Sequence, residues 1–170
     1  MTVIRVLITA VEILFCFLLQ SSVFPKIALA NVVPDLLMIL VVTVAFTRGV
    51  FPGMFTGLAA GLLVDCCLGD VIGLYGILYM FIGFVNGYTN RFYDSDDYIM
   101  PVALIGISEL VFSFFYYIFE FLLRGRLNIG YYAYRLMLPK VVYTVVMGVF
   151  FYKLFHSIHK GLLAPRKKED

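Results

Sequence analysis

Tryptophan is absent and charge is scarce: 14% of the 170 residues are Asp, Glu, Lys or Arg, against about 25% in an ordinary soluble domain. Hydrophobic residues fill the gap at 62%, and mean hydropathy is +0.97. A chain this short cannot hide so much apolar surface in one aqueous core. That balance all but excludes a soluble globular enzyme. Disorder is excluded as well, because its signature is low hydrophobicity. The solvent for most of the chain is therefore lipid.

Catalytic signatures are also missing. The sequence has no Ser-His-Asp set, no His-Glu-x-x-His, no Cys-x-x-Cys and no Gly-Lys phosphate loop, so nucleophilic and metal-dependent hydrolysis have no visible apparatus. We expect no catalytic residue, no cofactor and no metal, although dispersed acids can assemble a site inside a membrane. His156 and His159 lie three apart with no third ligand at suitable spacing, and read as interfacial residues. The cysteines Cys16, Cys66 and Cys67 sit in apolar runs and read as small packing residues. The net charge of +2 comes mainly from Arg166, Lys167 and Lys168, ahead of Glu169 and Asp170. This short basic tail suits a cytoplasmic anchor. It is not a nucleic-acid footprint.

Crossing the roughly 30 Å hydrocarbon core takes about 20 apolar residues. Six candidate spans emerge: residues 3–23, 34–47, 52–68, 71–90, 98–123 and 131–156. The fold expected is an all-α integral membrane protein, with a compact six-helix bundle over residues 1–160 and a charged tail over 161–170. The second and third spans are short and joined by a tight Arg48-Gly49 connection. They fit either a crossing hairpin or a re-entrant pair. The N-terminus imitates a signal peptide, with Arg5, an apolar run and Ala28-Leu29-Ala30. The run is long for such a peptide and Glu12 interrupts it, so a retained first helix is expected. Arg5, Arg48, Arg91, Lys153, Lys160 and the tail fall on one side, which places both termini in the cytoplasm. Tyr88, Tyr93 and Tyr98 would line the inner interface, and Tyr131, Tyr132 and Tyr134 the outer one.

Polar residues inside the spans carry the functional signal. Gly53, Gly57 and Gly61 repeat at four-residue spacing, a doubled GxxxG that lets helix backbones approach closely. It serves either packing within the chain or an interface to a partner. Asp65 continues that stripe, as an internal hydrogen-bonding group or an ion site. On the fifth span Glu109, Ser113, Tyr116 and Glu120 share one face. On the sixth, Lys140, Thr144 and Gly148 do the same, with Pro139 expected to loosen the helix beside the charge. Glu109 and Glu12 lie at the depth of Lys140, and either could be its counter-ion. Glu109 has the better polar stripe, so the expected buried network is Glu12, Asp65, Glu109 and Lys140, with Glu109 and Lys140 paired. Pro34 and Asp35 read as a helix start, with proline in the first helical position and the acid at the positive end of the helix dipole.

Pro34-Asp35-Leu36-Leu37-Met38, the Arg48-Gly49 turn and the run from Gly53 to Asp65 resemble the bacterial rod-shape-determining protein MreD family, as do Gly69 and Gly73-Leu74. The last helix of that family often carries proline followed shortly by Tyr-Asn. Here Pro139 is followed by Tyr143-Thr144, so no role of that asparagine carries over. The resemblance implies a non-enzymatic component of the cell-wall elongation complex in the plasma membrane. It implies binding to the transmembrane helix of MreC, and linkage of actin-like MreB to peptidoglycan synthesis by RodA and a class-B penicillin-binding protein. It further implies a fold similar to the substrate-binding component of energy-coupling-factor transporters. Membrane lipid and a second copy of the chain are further candidate partners. The competing reading is a membrane subunit that binds a vitamin-type small molecule.

Overall fold

The computed structural model describes residues 2–27, 32–68, 73–92, 99–119 and 133–163. These form an all-helical structure with six α-helices: α1 (Thr2–Leu18), α2 (Leu36–Arg48), α3 (Val50–Leu68), α4 (Leu74–Gly87), α5 (Ile99–Tyr117) and α6 (Leu138–Leu163). Glu120, Gly69, Tyr93, Tyr98, Tyr131, Tyr132 and the basic tail lie outside the described residues, as do the side chains of His156 and His159.

Among the described residues, four segments are long and apolar enough to cross a membrane: residues 4–26, 50–67, 99–117 and 138–155. The two shortest α-helices are α2, with 13 residues, and α4, with 14. At 1.5 Å per residue each covers only about 20 Å. The third span, expected to be short, reaches 19 residues, because α3 begins at Val50 and takes Pro52 into its first turn, where a missing N–H costs nothing.

The short α2 is the centre of the bundle. Every residue from Leu36 to Thr47 is buried, and α1, α3, α4, α5 and α6 all pack against it. A helix that is apolar all round belongs inside a larger structure. Its two buried threonines donate back to their own helix, Thr43 to the Ile39 carbonyl and Thr47 to the Thr43 carbonyl, both at 2.7 Å. No other helix is needed to satisfy them.

The ends of α2 are closed by side chains, which satisfy N–H and C=O groups that the helix itself leaves unpaired. At its start Asp35 Oδ1 accepts from Met38 N at 3.0 Å, and Gln20 Oε1 accepts from Leu37 N at 3.2 Å. At its end Asn90 donates to the Phe46 carbonyl at 2.6 Å. A single residue, Gly49, then turns the chain into α3. Its φ of 96° is open to glycine and strained for other residues.

Pro139 sits at the second residue of α6, directly after a π-helical turn over Ala133–Met137. The wider turn removes the carbonyl clash that a proline makes inside a regular helix. The proline thus stands at the junction of the π-helical turn and α6, and the helix is widened directly before Lys140.

The outer surface is apolar too. Val6, Leu7, Val11 and Leu14 on α1, and Val142, Val146, Val149 and Phe150 on α6, are all exposed. Soluble monomers do not tolerate continuous apolar faces of this size. Lipid does.

Candidate functional site

Three charged side chains meet where α2, α5 and α6 come together. Lys140 Nζ lies 2.7 Å from Glu109 Oε1 and 3.5 Å from Asp35 Oδ2. Glu109 is 0% exposed and Asp35 is 1% exposed. The Tyr79 hydroxyl of α4 donates to Asp35 Oδ2 at 2.5 Å, and the Asp35 N–H donates to Thr144 Oγ1 of α6 at 3.1 Å. Four helices are therefore tied at one point. Asp35 also caps α2, so its carboxylate serves two N–H or O–H donors and one ammonium.

Aromatic rings wall the cluster. Lys140 Nζ sits 4.8 Å from the Phe112 ring centroid, a cation–π arrangement that gains weight away from water. Phe112 in turn packs on Tyr75, Tyr79 and Tyr116, with centroids 5.3, 5.1 and 5.9 Å away. Glu109 Oε2 is buried without a hydrogen-bond partner among the described residues. Two carboxylates and one ammonium in this setting hold together only as a unit, since a lone ion in hydrocarbon costs several kcal/mol.

The four acids and bases expected to form one network fall in three places. Glu109 and Lys140 come together at 2.7 Å. Asp65 is elsewhere: its Oδ1 accepts from Tyr75 N at 3.1 Å and its Oδ2 from Gly76 N at 2.8 Å. From the far end of α3 it caps the start of α4. The N-terminal flank of α4 is Gly73, which has no side chain to cap with, and the orphaned N–H groups take the nearest buried carboxylate. Asp65→Ala should therefore cost about 2 kcal/mol, the upper end for loss of a cap, because two donors are stranded. Thermal unfolding in detergent checks this, and Asp65→Asn should recover part of the loss.

Glu12 is buried on α1, at the other end of the bundle from Asp65, where it and Arg5 act electrostatically on Arg48. Arg48 Nη1 donates to Thr9 Oγ1 at 2.7 Å, and Thr9 Oγ1 donates to the Arg5 carbonyl at 2.9 Å. Glu12 is not in the Lys140 cluster.

The glycine stripe is used inside the chain. Gly53 faces Ala45 of α2 and the Gly83 carbonyl of α4, Gly57 faces the Tyr79 carbonyl, and Gly61 faces Tyr75 and Gly76. From α4, Gly83 and Gly87 face Gly53 and Val50 in return. Of the two uses the sequence left open for Gly53, Gly57 and Gly61, these contacts are the one within the chain, the packing of α3 on α4.

A family model described as rod shape-determining protein MreD matches residues 1–158. The chain belongs to the MreD family. No curated protein and no solved structure matches it. This MreD-family chain is a rod-shape-determining membrane protein. Within the matched residues, the Thr144 hydroxyl is the group that accepts from the Asp35 N–H.

Asp35, Tyr79 and Thr144 complete the cluster and were not predicted for it. Thr144 had a signal, since it lies four residues after Lys140 on the same helical face. Pro34 stands outside α2 and Asp35 occupies the cap position, so the helix starts at Leu36, two residues later than a proline in the first helical position would put it. Tyr79 had no signal, because nothing in an apolar run marks one hydroxyl among twelve tyrosines.

Proposed function

We propose that this chain is a non-enzymatic scaffold of the cell-wall elongation complex. In this reading all six helices form a multi-pass bundle of the bacterial plasma membrane with both termini in the cytoplasm. The bundle is of the general kind found in the substrate-binding component of energy-coupling-factor transporters. It binds the transmembrane helix of MreC. Through that complex it links MreB filaments to RodA and a class-B penicillin-binding protein.

The observation that carries this reading is the family match over residues 1–158. The internal chemistry supports it. Asp35, Glu109 and Lys140 tie helices to one another, and Asp65 closes a helix start. A transporter-type pocket near Asp35 and Asp65 would need carboxylates turned toward a ligand. Both are already engaged within the protein. Since the glycine stripe is occupied by α4, the helix of MreC is expected on the apolar outer surface, where dispersion and close packing drive association in lipid.

The test is co-purification with MreC from membranes, beside an MreC whose transmembrane helix is replaced by a polyleucine span. A stoichiometric complex with the first and none with the second is the expected result. Failure of the folded chain to hold MreC, or retention of a stoichiometric water-soluble, vitamin-type small molecule, would overturn the reading.

A further inference from the structure

A groove of about 910 Å³ opens between α1 and α3, away from the central cluster. Its walls include Val6, Ala10, Ile13, Phe55 and Ala59. Its polar end is formed by Arg5, Thr9, Thr47 and Arg48. Val6 and Phe55 are 63% and 62% exposed, so the groove faces outward, where lipid surrounds the bundle. We propose that it holds one anionic glycerophospholipid, with the phosphate at Arg48 and Arg5 and an acyl chain along the α1–α3 wall.

Charge supports an anionic occupant. Arg48 Nη1 is bonded to Thr9, but Arg48 Nη2 is buried with no hydrogen-bond partner among the described residues. A guanidinium offers a planar fork of donors, and a phosphate oxygen completes it. Glu12 and Arg5 are the charges that act on Arg48. One carboxylate against two guanidinium groups leaves the polar end with a single positive charge.

Length distinguishes a lipid from a partner helix. Arg5 lies in the first turns of α1, and Arg48 is the last residue of α2. The two arginines therefore stand together at one end of the bundle, at headgroup depth. From Arg5 to Ile13, and from Phe51 to Ala59, the groove runs about 12 Å at 1.5 Å per residue. One leaflet of hydrocarbon is about 15 Å deep, half of the roughly 30 Å core. A transmembrane helix needs a seam across both leaflets. A lipid of one leaflet needs only this.

The full chain, purified in detergent, is given dioleoylphosphatidylglycerol or dioleoylphosphatidylcholine, and bound lipid is read by native mass spectrometry. Phosphatidylglycerol should be retained in preference. Arg48→Gln should reduce that preference about fivefold, the weight of one basic residue near a membrane surface. Ala59→Phe removes no charge but fills the groove, and should abolish the retained adduct. Ala103→Phe, placed in the seam between α5 and α6, should leave it unchanged. If Arg48→Gln does not fold, the two phenylalanine variants still decide the matter. Equal retention of the two lipids, an unaltered adduct in Ala59→Phe, or competition by inorganic phosphate as effective as the lipid itself would each overturn the proposal.

Discussion

Lys140→Met is expected to destabilise the chain by about 3–5 kcal/mol, the cost of removing one partner from a buried ion pair. The side chains are similar in length, so the change removes charge with little change in volume. It leaves Asp35 and Glu109, both buried, on either side of the vacated ammonium position. The two carboxylates are not equally dependent on it. Asp35 keeps the Met38 N–H and the Tyr79 hydroxyl, whereas Glu109 has only Lys140 within reach among the described residues. Adding Glu109→Gln to Lys140→Met should therefore recover most of the loss. Glu109→Gln alone should be the mildest of the three, because Lys140 retains Asp35. A charge swap, Glu109→Lys with Lys140→Glu, should not recover stability, since it sets a new carboxylate against Asp35. Equilibrium unfolding in detergent reads the order. If Lys140→Met is no worse than Glu109→Gln, the cluster does not hold these helices together.

The ion pair between α5 and α6 was legible because depth along a helix can be counted: each residue advances 1.5 Å, and an acid and a base at equal depth seek each other in lipid. The third member was not legible. After a proline, an aspartate has a sufficient local explanation as a helix start, and only the tertiary arrangement carries that start to Lys140. Asp65 is an internal hydrogen-bonding group, one of the two readings given to it, but its place in one network with Lys140 was misread for the opposite reason. Its depth suggested a network, while its use was set by the next turn of chain, where Gly73 leaves the N–H groups of α4 without a local cap. Glu12 was expected at the depth of Lys140, but it acts on Arg48, at the opposite end of α2 from Asp35. The short second span was readable as a length and ambiguous as a path. Its burial on all sides follows from its composition, twelve apolar or threonine residues with no polar face. What encloses it depends on five other helices.

Gly57→Ala should cost about 3 kcal/mol, the upper end for inserting a methyl group into a packed interior. The reason lies in what the methyl would meet. A Cβ at Gly57 falls on the carbonyl of Tyr79 and on the N of Met80, and backbone cannot rotate away as a side chain can. Relief requires α3 and α4 to move apart, which also opens the contacts of Gly53 with Gly83 and of Gly61 with Gly76. Gly106→Ala is the matched comparison: its Cβ meets only a methyl of Val145, at 3.0 Å, and should cost much less. The displaced carbonyl belongs to the residue whose hydroxyl binds Asp35, so shifting α4 at Gly57 also disturbs the charge cluster. Gly57→Ala and Tyr79→Phe should accordingly be non-additive in a double-mutant cycle, the double variant losing less than the sum, as expected for residues that share a backbone shift. Additive losses would mean that the glycine seam and the ion cluster stabilise the bundle independently.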